Sequence, residues 1–246
     1  MTDKPKVLRE TDDEARKLAR LVLREQRSAA MAVVEPGSDG FPFVSRVLLG
    51  FDLDGAPVIL ASRLATHTQA LLTDTRCSLL AGRMGKGDPL AHPRITVQCE
   101  GEPVTQTDPR YPLMRARFLR RHPKAQLYID LPDFLFFHLA PMRASFNAGF
   151  GRAYALAGND LLITSSALEE IATAERLLLD ELRSNADAVK HLIADDPEPV
   201  TPAWQVTGID SEGVDLALGD AFRRVVFPRQ VENAAELHAM FVKLYR

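Results

Sequence analysis

A chain of 246 residues can bury one large core or two modest ones, and 46% hydrophobic with 26% charged residues is the balance of a packed protein, which excludes disordered and collagen-like chains. With 30 basic against 33 acidic side chains the formal charge is −3, so no global field draws the protein to nucleic acid or to an anionic membrane, and a charged ligand must be held locally. The N-terminal residues lack the uninterrupted apolar stretch of a signal peptide and no charge-free run is long enough to cross a bilayer, so the expected location is the cytoplasm.

Thr11 followed by Asp12, Asp13 and Glu14 reads as a capping box, and the spacing of Ala15, Leu18, Leu21 and Val22 continues it as an amphipathic helix ending near Ser28. AAMAVVE, PFVSRVLLGF and APVILAS then read as strands joined by the hairpin-type turns PGSDG and DLDG, the grammar of an antiparallel meander. A short helix is predicted from Thr66 to about Thr73, with Gln69 completing a capping box. RCSLLAG and RITVQCEGEPV resume the strands across the loop MGKGDPLAHP. A helix from about Asp108 to Arg121 precedes the closing strands FLFFHLA, MRASFNAG and GRAYAL. Six or more strands with few helices argue for a closed or nearly closed barrel. Cys77 and Cys99 lie in apolar strand runs without CxxC spacing and are expected as buried thiols.

The pattern changes after Leu162. Ser166 to Glu169 reads as another capping box opening a helix to about Ile193, and the prolines of DDPEPVTP break it. Strands AWQVTGI, GVDLAL and FRRVVF follow, then a helix from about Glu232 to Leu244. The expected division is a barrel over residues 1–162 and an α-β-β-β-α module over 163–246.

With period two, PFVSRVLLG puts Phe43, Ser45, Val47 and Leu49 on one face and Val44, Arg46 and Leu48 on the other, so both faces are mainly apolar. An apolar outer face on a barrel strand suggests packing against a second subunit, and Arg46 there needs an anion. A phosphate, a flavin edge or a structural carboxylate each satisfies it. The N-terminus of the Thr66 helix, with Ser62, Thr66, His67 and Thr68 around it, suits an anion, although capped helices after strands are common without one. Arg94, Thr96, Gln98, Glu100 and Glu102 share a strand face that either lines a cleft beside Arg46 or is simply solvated.

These segments resemble the flavin-binding split barrels of the pyridoxamine 5′-phosphate oxidase group: Arg46-Val47-Leu48-Leu49, the Ser62-to-Thr68 turn into a helix, and the Arg94 strand. LASRLATHTQALL, FLRRHPKAQLY, DFLFFHLAPMRASFNAGFGRA and the terminal module are similar to its HugZ-type haem-utilisation branch. The resemblance covers nearly the whole chain. It implies a mainly β fold with α, an antiparallel split β-barrel of the FMN-binding type followed by a small α/β domain. It also implies a homodimer with cofactor clefts between subunits, and cofactor contacts from Arg46, Val47, Ser62, Thr66, His67, Thr68 and Gln98. Oxidases of the group carry a basic Arg-Lys pair where this chain has His67-Thr68. The HugZ-type branch shares that substitution and is associated with haem. Its histidine-bearing helix motif is reduced here to LRSNADA around Arg183 to Ala188, and His238 is the one C-terminal imidazole in place of its axial ligand, where a surface histidine is the plainer reading.

The six histidines include no HxxxH, so no metal site is expected from local spacing, and His138 within FLFFHLA reads as a hydrogen-bonded core histidine. Arg115, Arg117, Arg120, Arg121 and Lys124 read as a solvated helix face, Gly85 and Gly87 form no P-loop, and no GxSxG or paired nucleophile is present. No catalytic residue is assigned. The expected protein is a cytoplasmic homodimer that binds FMN or haem and takes part in a redox or haem-handling step, with no nucleic-acid or membrane partner. The alternative is a non-catalytic binding or regulatory protein of tetrapyrrole metabolism with a degraded flavin site.

Overall fold

The computed structural model describes residues 8–184 and 204–244. The stretch from Asn185 to about Ile193, most of the LRSNADA motif and the DDPEPVTP break lie outside the described residues. Two compact units make up the chain, the first Met1–Pro112 with Lys124–Leu162 and the second Leu113–Pro123 with Ile163–Arg246.

The first unit opens with α1 (Asp13–Arg24). Its N-cap is Asp12 rather than Thr11: Asp12 Oδ1 accepts the Ala15 amide at 2.7 Å, while the Thr11 hydroxyl donates to the Ala155 carbonyl at 2.9 Å. Ala15, Ala19, Val22 and Leu23 turn into the core. Arg16 pairs with Asp160 at 2.8 Å and fastens the opposite flank to the turn at Gly158–Leu161.

The strands are β1 (Ser28–Val34), β2 (Pro42–Leu48), β3 (Gly50–Phe51), β4 (Pro57–Ser62), β5 (Arg76–Ala81), β6 (Arg94–Val104), β7 (Phe134–Asn147) and β8 (Ala153–Ala157). They form one antiparallel sheet in the order β2-β1-β5-β6-β7-β4-β3, with β8 on β7. This order is not the expected meander. After β4 the helix α2 (Thr66–Thr73) intervenes, and the returning strand pairs with the free side of β1, which leaves β4 to pair with β7. The curled sheet encloses Met31, Leu49, Leu79, Ile95, Val97, Phe137, Leu139 and Phe146, all fully buried. Each such side chain contributes roughly 1.5–3 kcal/mol of hydrophobic stabilisation.

FLFFHLA and MRASFNAG, expected as two strands, are one 14-residue strand running through Pro141. The proline is tolerated because the ladder slips there: Gln98 faces Arg143 and Cys99 faces Pro141, so Met142 is the extra residue of a bulge and stands 53% exposed. Gly158 packs over this bend, where an added Cβ would lie 1.9 Å from the Pro141 carbonyl oxygen. Cys77 and Cys99 face one another across β5 and β6 as buried free thiols.

The second unit contains the sheet β9 (Gln205–Asp210), β10 (Gly213–Leu218) and β11 (Ala221–Val226), in the order β11-β10-β9, with α4 (Leu168–Ser184) and α5 (Ala234–Leu244). α4 begins past the expected box at Ser166, and Ser165 Oγ accepts the Ala167 amide at 3.1 Å. From the middle of the first unit's sequence this unit also takes most of α3 (Tyr111–Arg121). The solvated-face reading of that helix is overturned, because Arg117 and Arg121 are buried and Arg120 nearly so. Arg117 and Arg120 both grip the Glu175 carboxylate, the latter at 2.6 Å, and donate to the Ile209 and Thr207 carbonyls. Arg224 bridges Asp210 at 2.7 Å and Asp215 at 2.8 Å, and Arg121 lies 3.8 Å over the Phe222 ring. Guanidinium groups with several donors in a fixed plane satisfy carboxylates and carbonyls at once, which lets these charges be buried.

Candidate functional site

The outer face of β2 is as apolar as its alternation implies: Val44 is 61% exposed, Leu48 is exposed beside it, and Arg46 lies between them. Among the described residues the Arg46 side chain makes neither a hydrogen bond nor an ion pair, so the structural-carboxylate alternative finds no support within this chain. Val47 turns inward and is buried, leaving only its backbone for an outside ligand.

The α2 helix sits behind β2. Because strand residues alternate, Ser45 points inward, and its Oγ shares a hydrogen bond of 3.0 Å with His67 Nδ1. His67 and Arg46 therefore lie on opposite sides of β2. Half burial of the His67 imidazole lowers its pKa from the ordinary value, since desolvation penalises the cation and favours the neutral ring. The expected Thr66–Gln69 capping box does not form: the N-cap is Ala65, no side chain caps the first turn, and Gln69 Nε2 donates to the Arg63 carbonyl at 2.5 Å. Thr66 is exposed at this uncapped start, where the helix dipole is positive. Thr68 is fully buried and its Oγ1 has no hydrogen-bond partner among the described residues, so its side chain faces the core rather than a surface ligand.

Ser62 holds the turn into α2. Its Oγ donates to Asp133 Oδ2 at 2.6 Å and accepts the Leu64 amide at 3.1 Å, while the Arg63 amide donates to the Asp133 carbonyl at 2.6 Å. Asp133 opens the segment DFLFFHLAPMRASFNAGFGRA but lies 71 residues from Ser62, and only strand pairing brings the two together.

Gln98 stands on the same sheet face as Arg46 but not beside it. The register runs Arg46–Ala30–Leu80–Thr96 in one row and Val44–Ala32–Ser78–Gln98–Arg143 in the next, so three strand spacings of about 4.8 Å intervene. The Gln98 carboxamide oxygen accepts from Arg143 Nε. Around that pair a groove of about 640 Å³ is lined by Ala32, Val34, Arg76, Ser78, Gln98 and Arg143, among others. Thus Ser62, Thr66 and His67 gather at the α2 start, Arg46 stands free on the outer face, and Gln98 belongs to the groove. In the second unit, His238 is exposed and lies 3.6 Å from Glu181, in keeping with a surface histidine.

The geometry agrees with what the chain is similar to. Over 258 aligned residues it is 25% identical to the chloroplastic non-canonical heme oxygenase HOZ of Arabidopsis thaliana, covering 99% of this chain and 78% of that protein. Among solved structures it resembles Atu2129 of Agrobacterium tumefaciens, a protein of unknown function, with TM-score 0.82 and 29% identity over 98% of this chain and 100% of the other. It also shares the fold of a heme binding protein from Mycobacterium smegmatis, with TM-score 0.56 and 23% identity over 96% and 97% of the two chains. Residues 10–160 match the family model described as "CREG, beta-barrel", and the resemblance to pyridoxamine 5′-phosphate oxidase-like, HugZ-type split barrels stands with it. The chain belongs to the CREG β-barrel family.

Proposed function

We propose that this protein binds haem on the outer face of its barrel, where a second copy of the chain completes the site, and acts in a haem-handling step in the cytoplasm. The observation that carries the reading is Arg46: an exposed guanidinium, unpartnered among the described residues, flanked by exposed Val44 and Leu48 and in register with exposed Leu80. Haem offers both halves of the matching surface, an apolar macrocycle and carboxylate side arms, and a guanidinium suits a carboxylate. Arg46 would hold a propionate, and the apolar row would cover the ring. FMN fits less well, because Arg46 and His67 at the α2 start lie on opposite sides of β2, so its phosphate would meet either one fixed cation or the half-charge of the helix. The similarity to a heme oxygenase supports the choice of haem and suggests oxidative breakdown as the step. Bound haem supplies the redox chemistry, while the chain supplies position, charge and shielding from water.

The test is an absorbance titration of the purified chain with haem and with FMN separately, alongside light scattering for mass. The expected result is a dimer with a saturable Soret shift for haem, and an Arg46→Ala variant that binds haem at least about tenfold more weakly, in line with the roughly 1.5–3 kcal/mol of a charge-assisted hydrogen bond. A monomer with no Soret change, or full affinity in Arg46→Ala, overturns the proposal. Saturable FMN binding in place of haem favours the flavin instead.

A further inference from the structure

A second group of polar side chains stands apart from these residues. Asp52 and Asp54, in the turn between β3 and β4, and His138 on β7 each bring one ligand atom within 4.8 Å of the others, and all three are half-buried. The turn is fixed by its own hydrogen bonds: the Asp52 amide donates to the Ala56 carbonyl at 2.9 Å and the Gly55 amide to the Asp52 carbonyl at 3.0 Å. Gly55 permits the reversal with φ of +86°. One oxygen of each carboxylate is oriented from within, Asp52 Oδ1 by the Leu53 amide at 2.8 Å and Asp54 Oδ1 by the Ala56 amide at 2.9 Å. Strand pairing delivers the imidazole, since Val58 faces His138 in the β4–β7 register.

Two observations separate this group from an ordinary acidic turn. First, among the described residues no hydrogen bond or ion pair joins the His138 side chain to either aspartate; beyond them it acts on Asp108 only through its charge, and the three donors lie close without closing. The expectation of a hydrogen-bonded core histidine is thereby overturned. Second, the neighbouring acids are held by an arginine and these are not. Arg110 pairs with Asp108 at 2.7 Å and Glu102 at 3.1 Å, and that guanidinium holds the Asp108 carboxyl at a pKa of about 2, whereas no arginine or lysine of the described residues pairs with Asp52 or Asp54. Two half-buried carboxylates thus stand within reach of an imidazole with no arginine or lysine of the described residues on them.

We propose that Asp52, Asp54 and His138 bind one divalent transition-metal ion of the Zn²⁺ or Mn²⁺ type. One imidazole nitrogen and two carboxylate oxygens form a mixed donor set suited to these ions. Metal–ligand distances near 2.1 Å place tetrahedral donors about 3.4 Å apart, so side-chain rotations of about an ångström close the site. Three protein ligands leave a coordination position for water. The local-spacing rule could not reveal the site, because His138 follows the DLDG turn only after several intervening strands.

The test is isothermal titration of the EDTA-treated, desalted full chain with Zn²⁺ and with Mn²⁺, joined by Mn²⁺ electron paramagnetic resonance and thermal unfolding. One equivalent is expected to bind saturably and raise the melting temperature. Asp52→Asn with Asp54→Asn, and separately His138→Gln, should each weaken binding at least tenfold. Asparagine retains the oxygen acceptors of the turn, so the fold is preserved, and circular dichroism checks this. His92→Gln, on a different loop, should leave binding unchanged. No saturable binding of either ion, or binding that persists when all three residues are replaced, overturns the proposal.

Discussion

Replacing Glu175 by alanine tests whether the buried charges of the second unit are mutually dependent. The Glu175 side chain is 2% exposed and meets Arg117, itself 6% exposed, and Arg120 at 17%. Its Oε1 also accepts the Ile209 amide at 3.4 Å. Burial already pushes the Arg120 guanidinium below its ordinary pKa, with the Glu175 charge opposing that shift. Removing the carboxylate takes from Arg117 and Arg120 the charge they share, and breaking a buried pair in this way costs about 3–5 kcal/mol. Against a total stability of roughly 5–15 kcal/mol this is a large share. Trp204, the sole tryptophan, lies in the same unit just before β9, so intrinsic fluorescence during urea unfolding reports on the relevant region. With a slope of about 2 kcal/mol per molar urea, the midpoint should fall by about 2 M. Glu175→Gln, which keeps size and one acceptor, should fall less, and exchanging the whole triad for apolar residues of similar volume should recover most of the loss. A loss below about 1 kcal/mol for Glu175→Ala would refute the reasoning.

His67 is expected to titrate below 6.5, because half burial disfavours its cation. The unfolded chain then takes up the proton first, so its stability contribution is intact above pH 6.5, declines as pH falls beneath that value, and levels off below the folded midpoint. Histidine NMR titration of the wild type and His67→Gln checks this, and a midpoint at or above 6.5 contradicts it. Gly158→Ala should cost about 1–3 kcal/mol by calorimetry, since the new methyl group meets the Pro141 carbonyl at 1.9 Å and the bend must shift; an unchanged melting temperature would show the bend to be pliable.

Much of the fold was legible because local patterns and tertiary packing agree. The alternation Ile95, Val97, Cys99, Gly101 is the buried side of β6, and α2 occupies the predicted Thr66–Thr73. Strand order was not legible, since period-two patterning states which face is buried but not which neighbour is paired. α3 misled for a different reason: arginine is ordinarily a surface residue, and only the distant Glu175, Asp215 and backbone carbonyls make its burial tolerable. Within the candidate site, Arg46 and His67 were visible as residue types in the right segments. Their separation to opposite sides of β2 follows from strand alternation, whereas the Asp133 anchor and the His138 approach depend on pairings made across the barrel.

β7 borders β4, β6 and β8, and so joins two earlier strands that are otherwise apart in the sheet. During synthesis the earlier hairpins leave the ribosome with β4 and β6 lacking their shared neighbour, and unpaired strand edges invite association with other chains. Closure waits until Asn147 has emerged. The nascent polypeptide must therefore keep its half-built sheet in solution until β7 is available, and maturation should be slow, as long-range pairings dictate.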